Sequence, residues 1–197
     1  MTTVRDWLAD YICRPNVSIG RTGPVCPFVP PAQRAGSLEI TIKSAGSAPD
    51  KADVTDLVLA ALDEFDEIEW NGSNPALRCL VLVIPDLAPT AYGLLDEAHR
   101  AVKSIAVRRG MMLGQFHPSC TEPAVRNPDF QVSRAPIPLV AIRHMALHDI
   151  LFLHEQRDWF EEYRRLFGSY HLHGSEGIDQ LFAERYREAC AEFGPQH

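Results

Sequence analysis

The chain has 197 residues, 46% hydrophobic and 23% charged, which excludes a disordered or low-complexity fibrous protein and supplies enough apolar material to fold without a disulfide or metal staple. Its net charge of −7, from 19 basic and 26 acidic side chains, argues against nucleic acid as a partner. No apolar run approaches the roughly 18 residues of a membrane span, and Met1-Thr2-Thr3-Val4-Arg5-Asp6-Trp7 lacks the basic-then-apolar order of a secretion signal, so a cytoplasmic protein with no membrane partner is expected.

In chain order, Thr2 or Thr3 caps a short helix with Val4, Trp7, Leu8, Tyr11 and Ile12 on one face, and Pro15 helps to end it. Gly20, Gly23, Pro24, Pro27, Pro30 and Pro31 mark residues 20–31 as irregular. Residues 37–43 alternate polar and apolar, the pattern of a half-buried strand. After a turn at 46–50, Asp53 caps an amphipathic helix running to about Phe65. Residues 77–84 (Leu-Arg-Cys-Leu-Val-Leu-Val-Ile) read as a central strand buried on both faces, closed by Pro85 and Pro89. Thr90 caps the longest helix, through Leu94, Leu95, Ala98, Val102, Ile105 and Ala106 to Gly110, with Arg108 and Arg109 complementing its dipole. A third strand over 111–116, a loop over 117–136 and a fourth strand over 138–145 follow. Helices at about 149–167 and 176–193, separated by a turn over 168–174, end the chain. This order predicts an α+β protein (a mixed α/β sandwich) with a sheet of about four strands covered by helices, two of them C-terminal, in a single domain over 1–197.

Charge is unevenly spread. Residues 50–69 hold eight acids against Lys51, whereas residues 100–145 hold Arg100, Lys103, Arg108, Arg109, Arg126, Arg134 and Arg143 against Glu122 and Asp129. A basic segment in an acidic protein suits a small anionic or zwitterionic substrate, which guanidinium groups grip in a bidentate fork. A solvated basic face is the other reading. The five cysteines, Cys13, Cys26, Cys79, Cys120 and Cys190, are odd in number and irregularly spaced, which argues against a disulfide framework and a structural zinc site. Cys79 lies in an apolar strand pattern and reads as core. Cys26 and Cys120 lie in proline-bearing segments and are candidates for chemistry.

Uncommitted loops as long as 117–136 are rare in compact domains and are usually functional or disordered. This one is stiffened by Pro118, Pro123, Pro128 and Pro136, anchored by aromatic residues, and displays His117, Cys120, Arg126 and Arg134. It reads as a rigid loop presenting a site from a sheet edge; a packed Ω-loop whose polar groups satisfy one another is the alternative. His117 follows a strand directly and precedes a proline that restricts its backbone. An imidazole so placed serves as a metal or haem axial ligand, or as a general base. A thiol nucleophile at Cys120 or Cys26 is a further candidate, although the sequence fixes no base beside either.

A second cluster is Arg143-His144-Met145-Ala146-Leu147-His148-Asp149, followed by His154-Glu155. On a helix, His144 and His148 would share a face, and Asp149 or Glu155 would complete a metal site. Residues 139–143 read as strand, however, which places His144 at its end; histidines at a strand–helix junction are the plainer reading. His171-Leu172-His173 is expected in an exposed turn. The phosphate loop, the dinucleotide-binding glycine turn, the nucleophile elbow and the His-Glu-x-x-His pattern are all missing.

Cys26-Pro27-Phe28, residues 114–120, Ser133-Arg134-Ala135-Pro136 and residues 138–143 together resemble an uncharacterised bacterial family, and the pattern is distantly similar to the YqcI/YcgG family. That family has an early Pro-Cys element and a later Ser-Arg before a final strand, and some members are haem-dependent N-oxygenases of amino-acid-like substrates. Pro128 stands where its members tend to carry a histidine before the Ser-Arg. The resemblance implies haem b as cofactor, with His117 as leading axial ligand, His144 or His148 as alternatives, and Arg126, Arg134 and Arg143 pairing with propionates or a substrate carboxylate. The readings in competition are therefore a haem oxygenase of a small amine or amino acid, a non-haem metalloenzyme using His144 and His148 with Asp149 or Glu155, and a non-catalytic small-anion-binding or assembly protein. A homodimer is compatible with each.

Overall fold

Hydrophobic alternation and long apolar runs place the sheet. In a computed structural model that describes residues 2–71, 74–173 and 177–194, contacts gather into two units, Met1–Lys103 with Leu113–His144, and Ser104–Met112 with Met145–His197.

The first unit is organised on a four-stranded mixed sheet. Strands β1 (Leu38–Ile42) and β2 (Cys79–Val83) are parallel, with Leu38 opposite Cys79 and Ile42 opposite Val83. With β3 (Met111–Phe116), β4 (Pro123–Ala124), β5 (Asn127–Gln131) and β6 (Leu139–His144) completing the strands, the sheet order is β1-β2-β6-β3, and β6 runs antiparallel to β2. The two inner strands, β2 and β6, are the most continuously apolar, as central strands require. Helix α1 (Thr2–Trp7) passes into a π-turn over Leu8–Ile12. Its Val4, Leu8 and Ile12 pack with Val29, Val81, Val83, Ala135 and Leu139 in one buried apolar cluster, each large aliphatic side chain contributing about 1.5–3 kcal/mol.

Four details of this unit differ from the sequence expectation. Helix α2 (Val29–Arg34) forms inside the stretch expected to be irregular, because its prolines fall in the first turn, where a missing N–H breaks no intrahelical bond. Helix α3 (Lys51–Glu67) is capped by Asp50, and Asp53 is the reciprocal partner in a capping box; Val54, Val58, Ala61, Leu62 and Phe65 form its buried stripe. Thr90 lies in a 3-10 turn, Pro89–Ala91, that precedes helix α4 (Tyr92–Arg108). The 117–136 connection is itself partly regular, since β4 and β5 pair antiparallel within it.

The second unit is helical. A 3-10 turn over Leu147–Asp149 leads into α5 (Ile150–Leu153), α6 (Arg157–His173) and α7 (Gln180–Phe193). Ile150, Leu153, Phe160, Tyr163, Tyr186 and Ala189 close its core with Val107, Met112 and Met145. The helix expected over 149–167 is thus two helices, and α6 continues through Gly168, where a turn was expected. That glycine makes room: a Cβ there would lie 3.2 Å from both the Tyr186 hydroxyl and Arg164 Cγ. The expected start of the last helix, residue 176, lies outside the described residues. No helix among the described residues is long and apolar enough to cross a membrane.

Candidate metal centre

Three segments of the first unit converge on His117. The residue follows β3 directly and forms an isolated parallel bridge with Arg134, while its carbonyl accepts the N–H groups of Cys120 at 3.1 Å and Ala135 at 3.3 Å. Trp7 Nε1 donates to the carbonyl of Arg134 at 3.2 Å and the Tyr11 hydroxyl to that of Val132 at 2.9 Å, so α1 and its π-turn hold the limb of the loop that lies beside His117. Helix α4 supplies Tyr92 and, one turn on, Asp96.

The imidazole is almost wholly buried, at 3% exposure. Its Nε2 lies 3.1 Å from Asp96 Oδ1, its Nδ1 lies 3.3 Å from the Ser119 hydroxyl, and the Tyr92 ring tilts over it at 5.1 Å. A carboxylate only accepts, so Nε2–H donates to Asp96 and Nδ1 accepts from Ser119. Cys120, 2% exposed, completes the group: one donor atom from each of Asp96, His117 and Cys120 lies within 4.8 Å of the others. Among the described residues no other set of three histidine, cysteine, aspartate or glutamate side chains converges in this way. Burial pushes the Cys120 thiol up, the Glu122 backbone N–H draws it back, and the Asp96 charge raises it further. With its side chain 35% exposed, Asp96 is the open side of the cluster.

His99, one turn beyond Asp96, fastens α4 to β3 by donating Nε2–H to the Leu113 carbonyl at 3.1 Å, and burial holds its pKa down at about 4.

Residues 1–176 match the domain of unknown function DUF6875. The chain belongs to the DUF6875 family. No curated protein and no solved structure matches it. The matched stretch contains all three converging side chains, so the cluster lies within the DUF6875 domain.

Of the residues singled out in sequence, His117 and Cys120 meet; the others are placed elsewhere. Arg126 and Arg134 are exposed, and it is the backbone of Arg134 that meets His117. Arg143 lies over the Phe28 ring at 5.3 Å and donates to the His144 carbonyl at 2.9 Å. His144 ends β6 and packs edge-on against Phe65 at 5.0 Å. His148 sits in the 3-10 turn with Nε2 3.3 Å from Asp149 Oδ1. A shared helical face for His144 and His148 therefore does not form, since one is in a strand and the other in a 3-10 turn. Asp149 is fully buried and accepts the Ala146 N–H at 2.7 Å, while Glu155 is exposed. His171 corrects the expectation of an exposed turn: it is half-buried in α6, 2.8 Å from the Tyr163 hydroxyl and stacked on Tyr186 at 3.9 Å. The side chain of His173 lies outside the described residues.

These side chains do not fit haem b as they stand. The His117 ring, 3% exposed, has almost no open face for a macrocycle to lie against. Two hollows of the first unit, of about 370 and 310 Å³, are lined by β1 and α3 and by the segment after β1 together with α3, and neither reaches His117 or the three arginines. Asp96 and His99 had no signature in the sequence; their one trace is that they flank the buried stripe of Leu95, Ala98 and Val102 on α4.

Proposed function

We propose that this DUF6875 protein binds a divalent transition-metal ion of the zinc type through Asp96, His117 and Cys120, and that the centre serves metal-assisted hydrolysis or hydration of a small anionic or zwitterionic substrate. The convergence of one oxygen, one nitrogen and one sulfur donor within 4.8 Å carries this reading. Three protein donors of these types suit a borderline-soft ion and leave a fourth tetrahedral position for water or substrate. When bound, such an ion polarises a carbonyl or phosphoryl oxygen and lowers the pKa of its water.

The protein's own groups divide the remaining work. For Nε2 of His117 to coordinate, its proton moves to Nδ1, where Ser119 Oγ becomes the acceptor; the same oxygen fixes the ring in both states. Cys120 gives up its thiol proton, so metal uptake releases protons and weakens as pH falls. Asp96, whose side chain is 35% exposed, is where water and substrate reach the centre.

Chelator-stripped protein titrated with Co²⁺ tests this directly. One ion per chain is expected, with a near-ultraviolet thiolate-to-cobalt band that Cys120→Ser abolishes. Affinity is expected to be lost in His117→Ala and Asp96→Asn and weakened roughly 10–100-fold in Ser119→Ala. Absence of stoichiometric metal, or a band that survives Cys120→Ser, sinks the proposal. A Soret band in the protein as isolated, perturbed in His117→Ala, would favour the haem reading in its place.

A further inference from the structure

We infer that the open edge of β1 and the acidic side of α3 form a docking site for an extended, lysine- or arginine-rich peptide segment of another protein, which joins the sheet as a further strand. β1 ends the sheet order β1-β2-β6-β3, so among the described residues no strand lies along its outer edge. Cys79 N–H donates to the Ser37 carbonyl at 2.9 Å and Lys43 N–H to the Val83 carbonyl at 3.0 Å. Those bonds turn the backbone groups of residues 37, 39, 41 and 43 toward β2, and alternation turns the N–H and C=O groups of Leu38, Ile40 and Ile42 outward. Exposed strand edges are commonly blunted by proline, lysine or a bulge. β1 contains neither residue, its register with β2 is unbroken, and the Ile42 side chain is 49% exposed. The opposite edge strand, β3, is largely buried.

Charge selects the occupant. Leu38 and Ile40 pack on the apolar cluster around Val81 and Val83, whereas Glu39 and Thr41 border the hollow of about 370 Å³ together with Glu64, Ile68 and Glu69. Past the strand, Ser44 and Ala45 border the hollow of about 310 Å³ together with Asp53 and Asp56. Helix α3 therefore runs back along the edge with carboxylates beside each end of it. Lys43 meets Glu64 at 3.2 Å, while Glu39 and Glu69 are exposed and form no ion pair with a described residue. A chain laid on residues 38–45 needs about eight residues, roughly 26 Å at about 3.3 Å each. Backbone bonds to the edge supply affinity, and alternate side chains facing α3 supply selectivity for cations. A second copy of this chain is the poorer occupant. Antiparallel edge-to-edge pairing sets the two α3 segments on the same face, each with eight acids against Lys51 over residues 50–69.

Calorimetric titration of the full-length protein with an eight-residue peptide alternating lysine and valine tests the site. Binding of one peptide per chain is expected, weakening as salt is raised, with slowed amide hydrogen exchange at Ile40 and Ile42. The same peptide N-methylated at every residue keeps its charge but cannot donate to the edge, and its binding should be lost. Glu39→Gln and Glu69→Gln should each weaken the complex roughly 2–5-fold. Ile42→Pro removes one outward N–H where an edge strand tolerates proline and should weaken it by about tenfold. No binding of the lysine–valine peptide, or equal binding of its N-methylated form or of a glutamate–valine peptide, overturns the inference. A concentration-dependent dimer that Ile42→Pro abolishes also overturns it, by giving the edge to a second copy.

Discussion

His99 shows what burial does to a single titrating side chain. Its folded pKa of about 4 lies below the ordinary value of 6.5 because the imidazole is enclosed, and the Leu113 carbonyl that accepts its Nε2–H offsets only part of that burial. Above pH 6.5 the ring is neutral in both folded and unfolded chains. Between 6.5 and about 4 only the unfolded chain takes up the proton, so stability falls with pH across that window, by on the order of 3 kcal/mol from this residue. Half-buried His144 and His171 are also lowered and act in the same direction. Chemical denaturation of His99→Gln from pH 4 to 7 should show a visibly shallower decline than wild type; an unchanged slope would contradict this account. At this scale the sequence was partly legible. His117 and Cys120 stood out because a histidine at the end of a strand and before a proline has little freedom to point elsewhere. Asp96 did not, because an acid on a helix 21 residues upstream looks like any solvated face until tertiary packing brings α4 to β3.

Elements were legible where one physical signal acted alone. The apolar run of β2 and the alternation of β1 needed no tertiary information, and α3 announced itself through its amphipathic stripe. Where punctuating residues had two uses, local reading chose the wrong one. Pro30 and Pro31 have the local signature of breakers but lie in the first turn of α2, and Gly168 has that of a turn but admits the Tyr186 hydroxyl beside α6. Gly20 is the opposite case, a glycine required twice over. Its φ of +77° is left-handed, and a Cβ would fall 2.7 Å from both Arg126 Cβ and the Arg126 carbonyl oxygen. Gly20→Ala should therefore cost about 1–3 kcal/mol, measured as a lower urea midpoint at unchanged m-value. Wild-type stability in that variant would show that this contact is not held in solution.

For the molecule as a whole, composition and element order specified an α+β architecture, and the mixed sheet carries it. Strand order was not legible, because β6 inserts between β2 and β3 and nothing local to those strands encodes their neighbours. Nor did sequence show that the C-terminal helices gather with residues 104–112 around their own core. The acidic stretch acquires a further meaning once folded. Helix α3 ends with Glu64, Asp66 and Glu67 in its last turn and no basic residue there, which crowds anionic groups at the negative pole of the helix. Lys43 compensates one of them, 3.2 Å from Glu64. Raising sodium chloride from about 0.01 to 0.15 M shrinks the Debye length from about 30 to 8 Å and weakens the mutual repulsion within this acidic turn, so thermal unfolding should move to higher temperature as the buffer is made saltier, and a melting point that falls instead would refute it. Dilute buffer is thus the condition in which this fold is most fragile, and ionic strength acts on it as a stabilising ligand with no binding site.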